Sequence, residues 1–484
     1  MAPDLRSFYQ YHSSLMEPWD GPASIAFTDG TIIGAVLDRN GLRPSRYWVT
    51  NDDLVVMASE VGVVNVPADS VIEKGRLEPG KMFLIDTNEG RIVRDEEIKE
   101  TLATSRPYQE WLDTNLVPLN RKKRSDEVAL NPATLLQRQQ IFGYTHEQLK
   151  ILLTPMIRDA KEAIGSMGSD TPLAALSNRP KEVFDYFQQL FAQVTNPPLD
   201  AIREELITAV SGTLGPRPNI LSLSEENCRQ IFLPHPVITE DELAYLSSQN
   251  EHSNLLGPVV LDSTFCISDG VTELQKALID LQEQAEKAIG KGAGVLIISD
   301  RNTNESRAPI PSLLSTGAIH HHLTKTKKRN HVGLVVESGD ARETHHIALL
   351  LGYGASAVCP YMAYETIDQI IEEGLNGISP NLNPDLARTN FITACDKGLL
   401  KIMSKMGIST VASYTGAQIF ESIGLNNSVI DLCFTGTASR IEGVGFEVLA
   451  EEVLIRHSSA FPNNSQETSH RTLEVGGELS LIHI

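Results

Sequence analysis

Hydrophobic and polar residues alternate with period two in the first part of the chain, over residues 23–62. Short turns separate the alternating runs, and a similar turn divides a further pair of runs; the three turns lie at Asp29-Gly30, Asn51-Asp52 and Asn88-Glu89-Gly90. This pattern predicts β-hairpins, followed by a helix from about Asp95. Hairpins need a second layer over their apolar face, so we interpret the region as part of an antiparallel sheet that lacks its beginning.

The pattern changes beyond Asn219, where short apolar runs alternate with amphipathic ones. The apolar runs predict buried strands at 259–266, 294–299, 332–337 and 355–359. The amphipathic runs predict helices between them, for example over 274–289 and 341–351. The alternation indicates a largely parallel sheet with helices around it, either doubly wound or barrel-like. Two further β/α units are expected: a strand over 408–413 with a helix through Phe420, and a strand over 429–434 leading on to Gly445.

The segment 164–205 joins these two parts of the chain. Its first residues, with Gly165, Gly168 and Pro172, predict an irregular loop. A helix should follow from Pro180 to Val194, because its apolar residues recur at helical spacing and either Ser177 or Asn178 can cap it. A second helix should begin after Asp200, with a buried stripe formed by Ile202, Leu206 and Val210.

A charged stretch at 107–132 precedes two helical patterns, at 132–143 and 146–164. Four consecutive basic residues, 121–124, could form a nuclear address or an anion patch. They lie beside Ser125, Asp126 and Glu127, so we interpret the stretch as a solvated linker.

Composition narrows the possible classes of protein. The chain has 484 residues, which is enough for about two to four domains. It is 41% hydrophobic and has no apolar run near the roughly 20 residues of a membrane helix, so we expect a globular chain without a membrane partner. A formal charge of −21 argues against nucleic acid as a partner. The five cysteines have no zinc-like spacing and there is no secretion signal, so we expect reduced thiols and a cytoplasmic location.

Polar residues gather where two of the predicted strands end, which is the edge where α/β folds bind ligands. They are Ser299, Asp300 and Arg301 after one strand, and Glu337, Ser338 and Gly339 after the next. With Arg342, the groups Asp300, Arg301 and Glu337 could serve an independent α/β enzyme. The alternative is structural, because Ser338 or Asp340 can simply cap the helix predicted over 341–351.

Other candidate motifs give weaker indications of a metal or nucleotide site. The consecutive histidines 320–322 and 345–346 cannot chelate a metal within one helix, because neighbouring residues point in different directions. The two clusters could meet around a metal in space, but we expect satisfied or exposed imidazoles. The glycines at 290–294 precede a strand and those at 443–445 lack a third glycine, so neither set forms a dinucleotide fingerprint.

Several long motifs resemble the large subunit of glutamate synthase, and the similarity runs from the first residues to about Glu478. The motifs are EPWDGPASIAF (17–27), DRNGLRPSRY (38–47), LLQRQQIFGYT (135–145), GSMGSDTPLAALS (165–177), YFQQLFAQVTNPP (186–198), PIPSLLSTGAIHHHL (309–323), VGLVVESGDARETHH (332–346) and KMGISTVASYTGAQIFE (405–421).

The resemblance implies an enzyme that makes L-glutamate from L-glutamine and 2-oxoglutarate. In that family a class II amidotransferase domain hydrolyses glutamine, and ammonia passes through an internal tunnel to a β/α barrel. There, 2-iminoglutarate is reduced by FMN, with electrons delivered through an iron-sulfur cluster from NAD(P)H or ferredoxin. The implied partners are the other domains of the large chain, and a small electron-donating subunit or ferredoxin. The location would be the cytoplasm, or the plastid stroma of a photosynthetic eukaryote.

The implied fold class is α/β, or α+β overall: a sheet remnant of an N-terminal-nucleophile amidotransferase domain, then a mostly parallel central domain. The expected divisions are the amidotransferase end at 1–105, a linker at 106–131, the central domain at 132–445, a connection toward the flavin barrel at 446–478, and a tail at 479–484.

No catalytic, cofactor-binding or metal-binding residue is assigned in this sequence. The family's nucleophile is an N-terminal cysteine, and the resemblance places it upstream of Met1, together with the oxyanion-hole and glutamine-binding residues. The flavin and cluster motifs are expected downstream. We therefore expect an inactive fragment of the family, and we interpret the tail LSLIHI as the translation of a sequencing adapter. The alternative from another class is a stand-alone scaffold or binding module.

Overall fold

The computed structural model describes residues 1–16, 21–38, 41–122, 134–163, 172–190, 202–217, 219–248, 257–462 and 472–477. These residues form two compact units. The N-terminal unit comprises Met1–Asn115 and Asn219–Cys228, and the central unit comprises the other described residues from Leu116 onward. Within these ranges no helix is long and apolar enough to cross a membrane.

Two antiparallel sheets and three helices build the N-terminal unit in its described part. One sheet has the order β1-β2-β6-β7 and the other the order β4-β3-β5. The elements are α1 (Pro3–Leu15), β1 (Ser24–Thr28), β2 (Ile32–Leu37), β3 (Arg46–Thr50), β4 (Val55–Ala58), β5 (Val71–Arg76), β6 (Met82–Asp86), β7 (Arg91–Val93), α2 (Asp95–Thr104) and α3 (Tyr108–Asn115).

The predicted hairpins and the helix from Asp95 are confirmed. At the first turn the Asp29 carboxylate accepts hydrogen bonds from the backbone N–H groups of Thr31 and Ile32, at 2.8 and 2.7 Å. These bonds fix the short connection that pairs β1 with β2. The two sheets, rather than one continuous sheet, arise because β2 pairs with β6 whereas β3 pairs with β4 and β5.

The helices of the N-terminal unit pack through aromatic rings. The ring of the fully buried Tyr11 lies 5.0 Å from that of Tyr108 and 5.4 Å from that of Trp111. The Tyr11 hydroxyl donates a 2.7 Å hydrogen bond to the carbonyl oxygen of Ser224. The first part of the stretch that we interpreted as a linker is therefore folded as α3, because Tyr108 and Leu112 supply buried apolar surface.

The central unit is larger and mixes parallel strands with helices. Its first elements are β8 (Leu116–Pro118), α4 (Leu135–Ile141), α5 (His146–Gln148), α6 (Thr154–Asp159), β9 (Phe187–Gln189), α7 (Glu204–Ile207), β10 (Gly212–Leu214), β11 (Gln230–Leu233) and α8 (Glu240–Ser247). A π-helical turn, Leu149–Leu153, joins α5 to α6. The following elements are β12 (Pro258–Asp262), β13 (Thr264–Cys266), α9 (Glu273–Gly290), β14 (Val295–Ser299), β15 (Arg307–Pro309), α10 (Ser312–Lys325), β16 (Gly333–Glu337), α11 (Thr344–Gly352), β17 (Ala357–Cys359) and α12 (Tyr361–Glu372). The last are α13 (Pro384–Met406), α14 (Val411–Tyr414), β18 (Phe420–Ser422), α15 (Asn427–Cys433), β19 (Ala438–Ser439) and α16 (Phe446–Ala460).

A parallel sheet of order β12-β14-β16-β17 forms the centre of this unit. Its inner strands carry continuous apolar runs, and every residue of β14 is buried, as expected for a sheet covered on both faces. The predicted parallel strands are therefore confirmed, except that the strand predicted at 259–266 divides in two: β12 joins the parallel sheet, and β13 pairs antiparallel with β15. The strand order does not reverse among the described strands, so the doubly wound alternative is not observed there.

The helix predicted from Pro180 to Val194 is wrong for its described part. Val183–Tyr186 form a 3₁₀ turn, and Phe187–Gln189 form strand β9, which pairs antiparallel with β18. Phe184, Tyr186 and Phe187 are all buried, so the apolar residues do not share a single helical face. Pairing with β18 overrides the helical spacing.

The second helix of this junction is only partly observed. The structure contains the short helix α7, but Ile202 is 91% exposed and Leu206 is 86% exposed, so the predicted buried stripe is wrong. The loop predicted at 164–171 and the residues 191–201 lie outside the described residues.

The two β/α units predicted near the end of the central unit are also wrong. Residues 411–414 and 427–433 are helical, and the strands described in this region are β18 and β19. The cause lies in the caps, because the side chains of Thr410 and Asn426 accept hydrogen bonds from the first turns of α14 and α15. Short apolar runs alone do not distinguish a strand from a buried helix.

Candidate functional site

Three polar side chains predicted to meet at the carboxyl edge of the parallel sheet do so. Ser299 and Glu337 are paired in register at the ends of β14 and β16, and the Ser299 hydroxyl donates to the Glu337 carboxylate at 2.6 Å. The Arg301 guanidinium donates to Glu337 and also forms an ion pair with Glu240. Its central carbon lies 4.0 Å from the centre of the Tyr361 ring, a cation–π contact.

A third carboxylate extends this cluster. Glu365 lies 3.4 Å from Arg301 and forms an ion pair with Arg138. We call the set Asp300, Arg301, Glu337, Glu365, Glu240 and Arg138 the strand-end network. It contains four carboxyl groups and two guanidinium groups. Burial raises the pKa of Glu365 to about 7, although Arg138 and Arg301 act in the opposite direction.

Asp300 is the most enclosed carboxyl group of the strand-end network. It is 2% exposed and accepts the backbone N–H of Gly339 at 2.9 Å. Burial, reinforced by the neighbouring Asp340, raises the pKa of Asp300 well above its usual range. Gly339 is required by space, because a Cβ atom there would lie 2.3 Å from the Phe142 ring.

The charged groups at the centre of the strand-end network bind one another, although Nε and Nη2 of Arg138 are buried without a hydrogen-bond partner among the described residues. The guanidinium of Arg301 is engaged by carboxylates of its own chain and is 15% exposed. The groups proposed for an independent α/β enzyme are therefore brought together only in part, and their polar atoms bind one another. This arrangement favours a structural role for Asp300, Arg301 and Glu337.

Arg342 lies apart from the other strand-end groups. Its guanidinium forms an ion pair with Glu182 and donates to the carbonyl oxygens of Asp340 at 2.9 Å and Phe142 at 3.1 Å. The helix predicted from Ala341 begins only at Thr344, because Ser338 and Asp340 bond to neighbouring groups instead of capping it. Gly143 has φ +71° and approaches Glu182 so closely that a Cβ atom would lie 2.5 Å from its carboxylate.

Beside Arg342 lies a cavity of about 510 Å³, which we call the central cavity. Its walls come from separate parts of the central unit: the turn between α4 and α5, the segment 179–188, the start of α11, the helix α16 and the segment 472–476. The last segment is held by parallel bridging of Glu474 with Thr145, and by a 2.9 Å bond from the N–H of His146 to the Glu474 carbonyl oxygen.

Two ion pairs line one side of the central cavity, Arg342 with Glu182 and His346 with Glu343. Burial alone would raise the pKa of Glu343, but the neighbouring His346 lowers it to about 2. Burial lowers the pKa of His346, but the Glu343 carboxylate 3.1 Å away outweighs this and leaves the pKa raised. The imidazole of His346 stacks on Phe184 with centroids 4.1 Å apart. This side of the cavity is therefore charge-compensated.

Two of the histidines at 320–322 have separate partners, whereas Nε2 of His321 is buried without a hydrogen bond among the described residues. The Arg329 guanidinium donates to Nδ1 of His320 at 3.1 Å, and His322 pairs with Glu286 at 2.9 Å. Burial lowers the pKa of His320 to about 3 and that of His321 to about 4, so both are neutral at pH 7. The described residues contain no group of three potential ligands that could hold a metal ion.

The central cavity is the feature that sequence reasoning missed. Glu182 and Arg342 are 160 positions apart, and no spacing rule connects them. The carboxyl-edge residues were predictable because parallel neighbouring strands place their ends together.

Family models match two parts of the chain. "Glutamine amidotransferases class-II" matches residues 1–111, and "Glutamate synthase central domain" matches residues 137–426.

Relatives that align over nearly the whole chain are also glutamate synthases. The chain is 48% identical to the glutamate synthase [NADPH] large chain of Bacillus subtilis, over 99% of this chain and 30% of that protein. It is 43% identical to glutamate synthase [NADH] of Schizosaccharomyces pombe, over 98% of this chain and 23% of that protein. It is 41% identical to ferredoxin-dependent glutamate synthase 2 of Synechocystis, over 96% of this chain and 30% of that protein. The chain thus spans less than a third of the length of these relatives.

A mandelate oxidase structure is one of the solved structures that resemble the chain. It covers 55% of this chain at 13% identity with a TM-score of 0.28, which is too low to carry an argument.

Proposed function

Because this chain belongs to the glutamate synthase central-domain family, we propose that it supplies that domain, and the end of the amidotransferase domain, to a glutamate synthase large chain. One observation carries the proposal: the two family matches follow each other along a chain that aligns over 99% of its length with one large chain.

The domain divisions are part of this proposal. Residues 1–105 are assigned to the amidotransferase end, 106–131 to a linker whose first part is folded as α3 and β8, 132–445 to the central domain, 446–478 to a connection toward an FMN-binding barrel, and 479–484 to an adapter-derived tail. The helix α16 packs against α4 and α9, so the first part of the connection contributes to the central unit.

The reaction proposed for the whole large chain is formation of L-glutamate from L-glutamine and 2-oxoglutarate. FMN and an iron-sulfur cluster would serve it, with NADPH, NADH or ferredoxin as electron source. The partners would be the remaining domains of the large chain and an electron-donating subunit or ferredoxin. The proposed location is the cytoplasm, or the stroma in a plastid-bearing organism.

We assign no catalytic, cofactor-binding or metal-binding residue to this sequence. The state of its thiols supports the first part of that assignment. Cys228 and Cys395 are buried free cysteines, and burial raises the pKa of Cys228 to about 11 and that of Cys395 well above its usual range. A buried thiol that resists ionisation is a poor nucleophile.

The proposal is tested with the purified chain and with its gene. The chain should release no ammonia from glutamine and should show no flavin or iron-sulfur absorbance. Cysteine-dependent glutaminase turnover, or a yellow preparation with stoichiometric FMN, would contradict the assignment of no site residues. Genomic sequence on both sides should continue the reading frame into the rest of a large chain. Stop codons at both ends would favour the alternative of a stand-alone binding module.

A further inference from the structure

We propose that the central cavity is a binding site for a free α-amino acid, recognised through both of its charges. This inference goes beyond the proposed function, which assigns no ligand to the central unit. It rests on four charged side chains that line the cavity without ion-pair partners among the described residues.

Two of these side chains are arginines. Arg179 donates from its guanidinium only to the carbonyl oxygen of Gly476, at 3.0 Å. Arg456 donates only to the carbonyl oxygen of Lys181, also at 3.0 Å. Both line the central cavity, and neither forms an ion pair within the described ranges, although Arg456 is near enough to Glu452 to lower its pKa. Each guanidinium has five N–H donors in a planar fork, so most of its donors are available to a carboxylate ligand.

The other two side chains are carboxylates. Asp185 accepts the backbone N–H of Glu182 at 3.0 Å and has no ion pair in the part of the chain that the structure describes. Glu474 is held through its backbone carbonyl, and its carboxylate likewise meets no cation there. Both line the same cavity as the two arginines. The cavity is therefore lined by two negatively charged hydrogen-bond acceptors and by two positively charged hydrogen-bond donors.

Side chains of both charges line this cavity, and no ion pair joins the two arginines to Asp185 or Glu474 among the described residues. Arg456 and Asp185 both act electrostatically on Glu452, the first lowering and the second raising its pKa, while burial raises it most. Arg179 binds the carbonyl of Gly476, two residues beyond Glu474. A ligand in the cavity could therefore contact groups of both signs.

The balance of charge selects the class of ligand. The pairs Arg342 with Glu182 and His346 with Glu343 already neutralise each other, and Glu147 and Lys181, which also line the cavity, have partners of their own. A dianion would face Asp185 and Glu474, and a dication would face the two arginines. A zwitterion satisfies both sets, because its carboxylate accepts bidentate bonds from a guanidinium and its ammonium group donates to a carboxylate. A cavity of about 510 Å³ is in the usual range for small-molecule sites.

The test is isothermal titration calorimetry on the full chain, with glycine, L-glutamine and L-glutamate as zwitterionic probes. Succinate and 1,4-diaminobutane serve as probes that carry only one sign of charge. At least one amino acid should bind saturably, and should bind more tightly than either single-sign probe. Absence of binding by all three amino acids, or equally tight binding of succinate or the diamine, would overturn the proposal.

Four variants make the test specific to the site. Arg456→Gln and Asp185→Asn should each weaken amino-acid binding by about tenfold or more, the usual effect of losing a charged hydrogen bond. The exposed Arg179→Gln should act in the same direction without affecting folding. Arg158→Gln, outside the cavity and paired with Asp159, is the matched control and should bind like the unaltered chain. Equal binding by all four variants would overturn the proposal. The readout is independent of glutaminase activity and of the genomic test, so the proposed function and this site can fail separately.

Discussion

The N-terminal unit and the central unit contain strands of similar apolar content, but they bury them to different extents. In the N-terminal unit every residue of β1 is exposed, including Ile25 at 42% and Phe27 at 45%. In the central unit every residue of β14 is buried. The sheet core of the N-terminal unit consists of four buried residues, whereas one large cluster runs through the central unit.

A hydrophobic pattern therefore predicts a strand, but it does not predict whether a second layer of structure covers that strand. Both patterns were read correctly as strands. Burial supplies most of the stabilising free energy, so the central unit should hold most of the stability of the chain. The N-terminal unit should open more readily.

The comparison can be followed with two spectroscopic signals. Two of the three tryptophans of the chain, Trp48 and Trp111, lie in the N-terminal unit, and Trp19 precedes both in the sequence, so tryptophan fluorescence follows the unfolding of this unit. The helices of both units contribute to the far-UV circular dichroism.

The largest effect should come from Arg301→Met. This change removes the cation that pairs with the largely buried carboxylates of Glu337 and Glu240, and we expect about 3–5 kcal/mol lower free energy of unfolding for the central unit. Urea denaturation followed by circular dichroism measures it. Arg440→Met, which breaks the exposed pair with Glu421, is the control and should change the free energy by less than about 1 kcal/mol. An equal effect of the two variants would remove the structural role of the strand-end network.

A second pair of variants compares the cores of the two units. Leu334, on β16, is fully buried, and Leu334→Ala should cost about 2–5 kcal/mol in the circular-dichroism transition. Ile25→Ala, on the exposed strand β1, should change the fluorescence transition by no more than about 0.5 kcal/mol. A larger effect at Ile25 than at Leu334 would show that β1 is covered in solution and would reverse the comparison.

A smaller effect concerns the stability of the folded chain at acidic pH. The folded chain holds His320 and His321 neutral, with pKa values of about 3 and 4, whereas the unfolded histidines protonate near their ordinary pKa of about 6.5. Their contribution to stability is therefore present above about pH 6.5 and is lost as the pH falls toward 4. The raised pKa of Glu365 acts oppositely, since stability falls as the pH rises toward 7.

The variant His321→Leu separates these contributions. In this variant the midpoint temperature of thermal unfolding should fall less between pH 6.5 and 4 than it does in the unaltered chain. The control is His331→Leu, which removes an exposed histidine of the same unit. An unchanged slope in His321→Leu would show that the buried imidazole does not cause the acid sensitivity.

Local signals predicted much of the fold. The hairpins and the four parallel strands followed from short-range alternation and apolar runs, which tertiary contacts reinforce. Errors occurred where tertiary pairing or caps decide between helix and strand, at 183–189 and at 408–434. The longest described helix, α13, was not predicted, although Asn383 caps it and Gly407 ends it with φ +70°.

The candidate site was predictable only in part. Parallel topology predicts that Asp300, Arg301 and Glu337 lie together. It does not predict that the carboxylates of Glu240 and Glu365 complete their network. The central cavity depends on contacts between distant parts of the sequence, such as Arg456 with the backbone of Lys181. No local pattern encodes such contacts.

The most direct test of the central claim, that stability resides in the central unit, is hydrogen–deuterium exchange of the intact chain read by mass spectrometry. Amide exchange in well-packed elements requires extensive unfolding, whereas thinly covered strands open locally. We predict that peptides from β14 and β16 will stay protected long after peptides from β1 and β3 have exchanged. Equal protection of the two sets, or slower exchange in β1 and β3, would contradict the account.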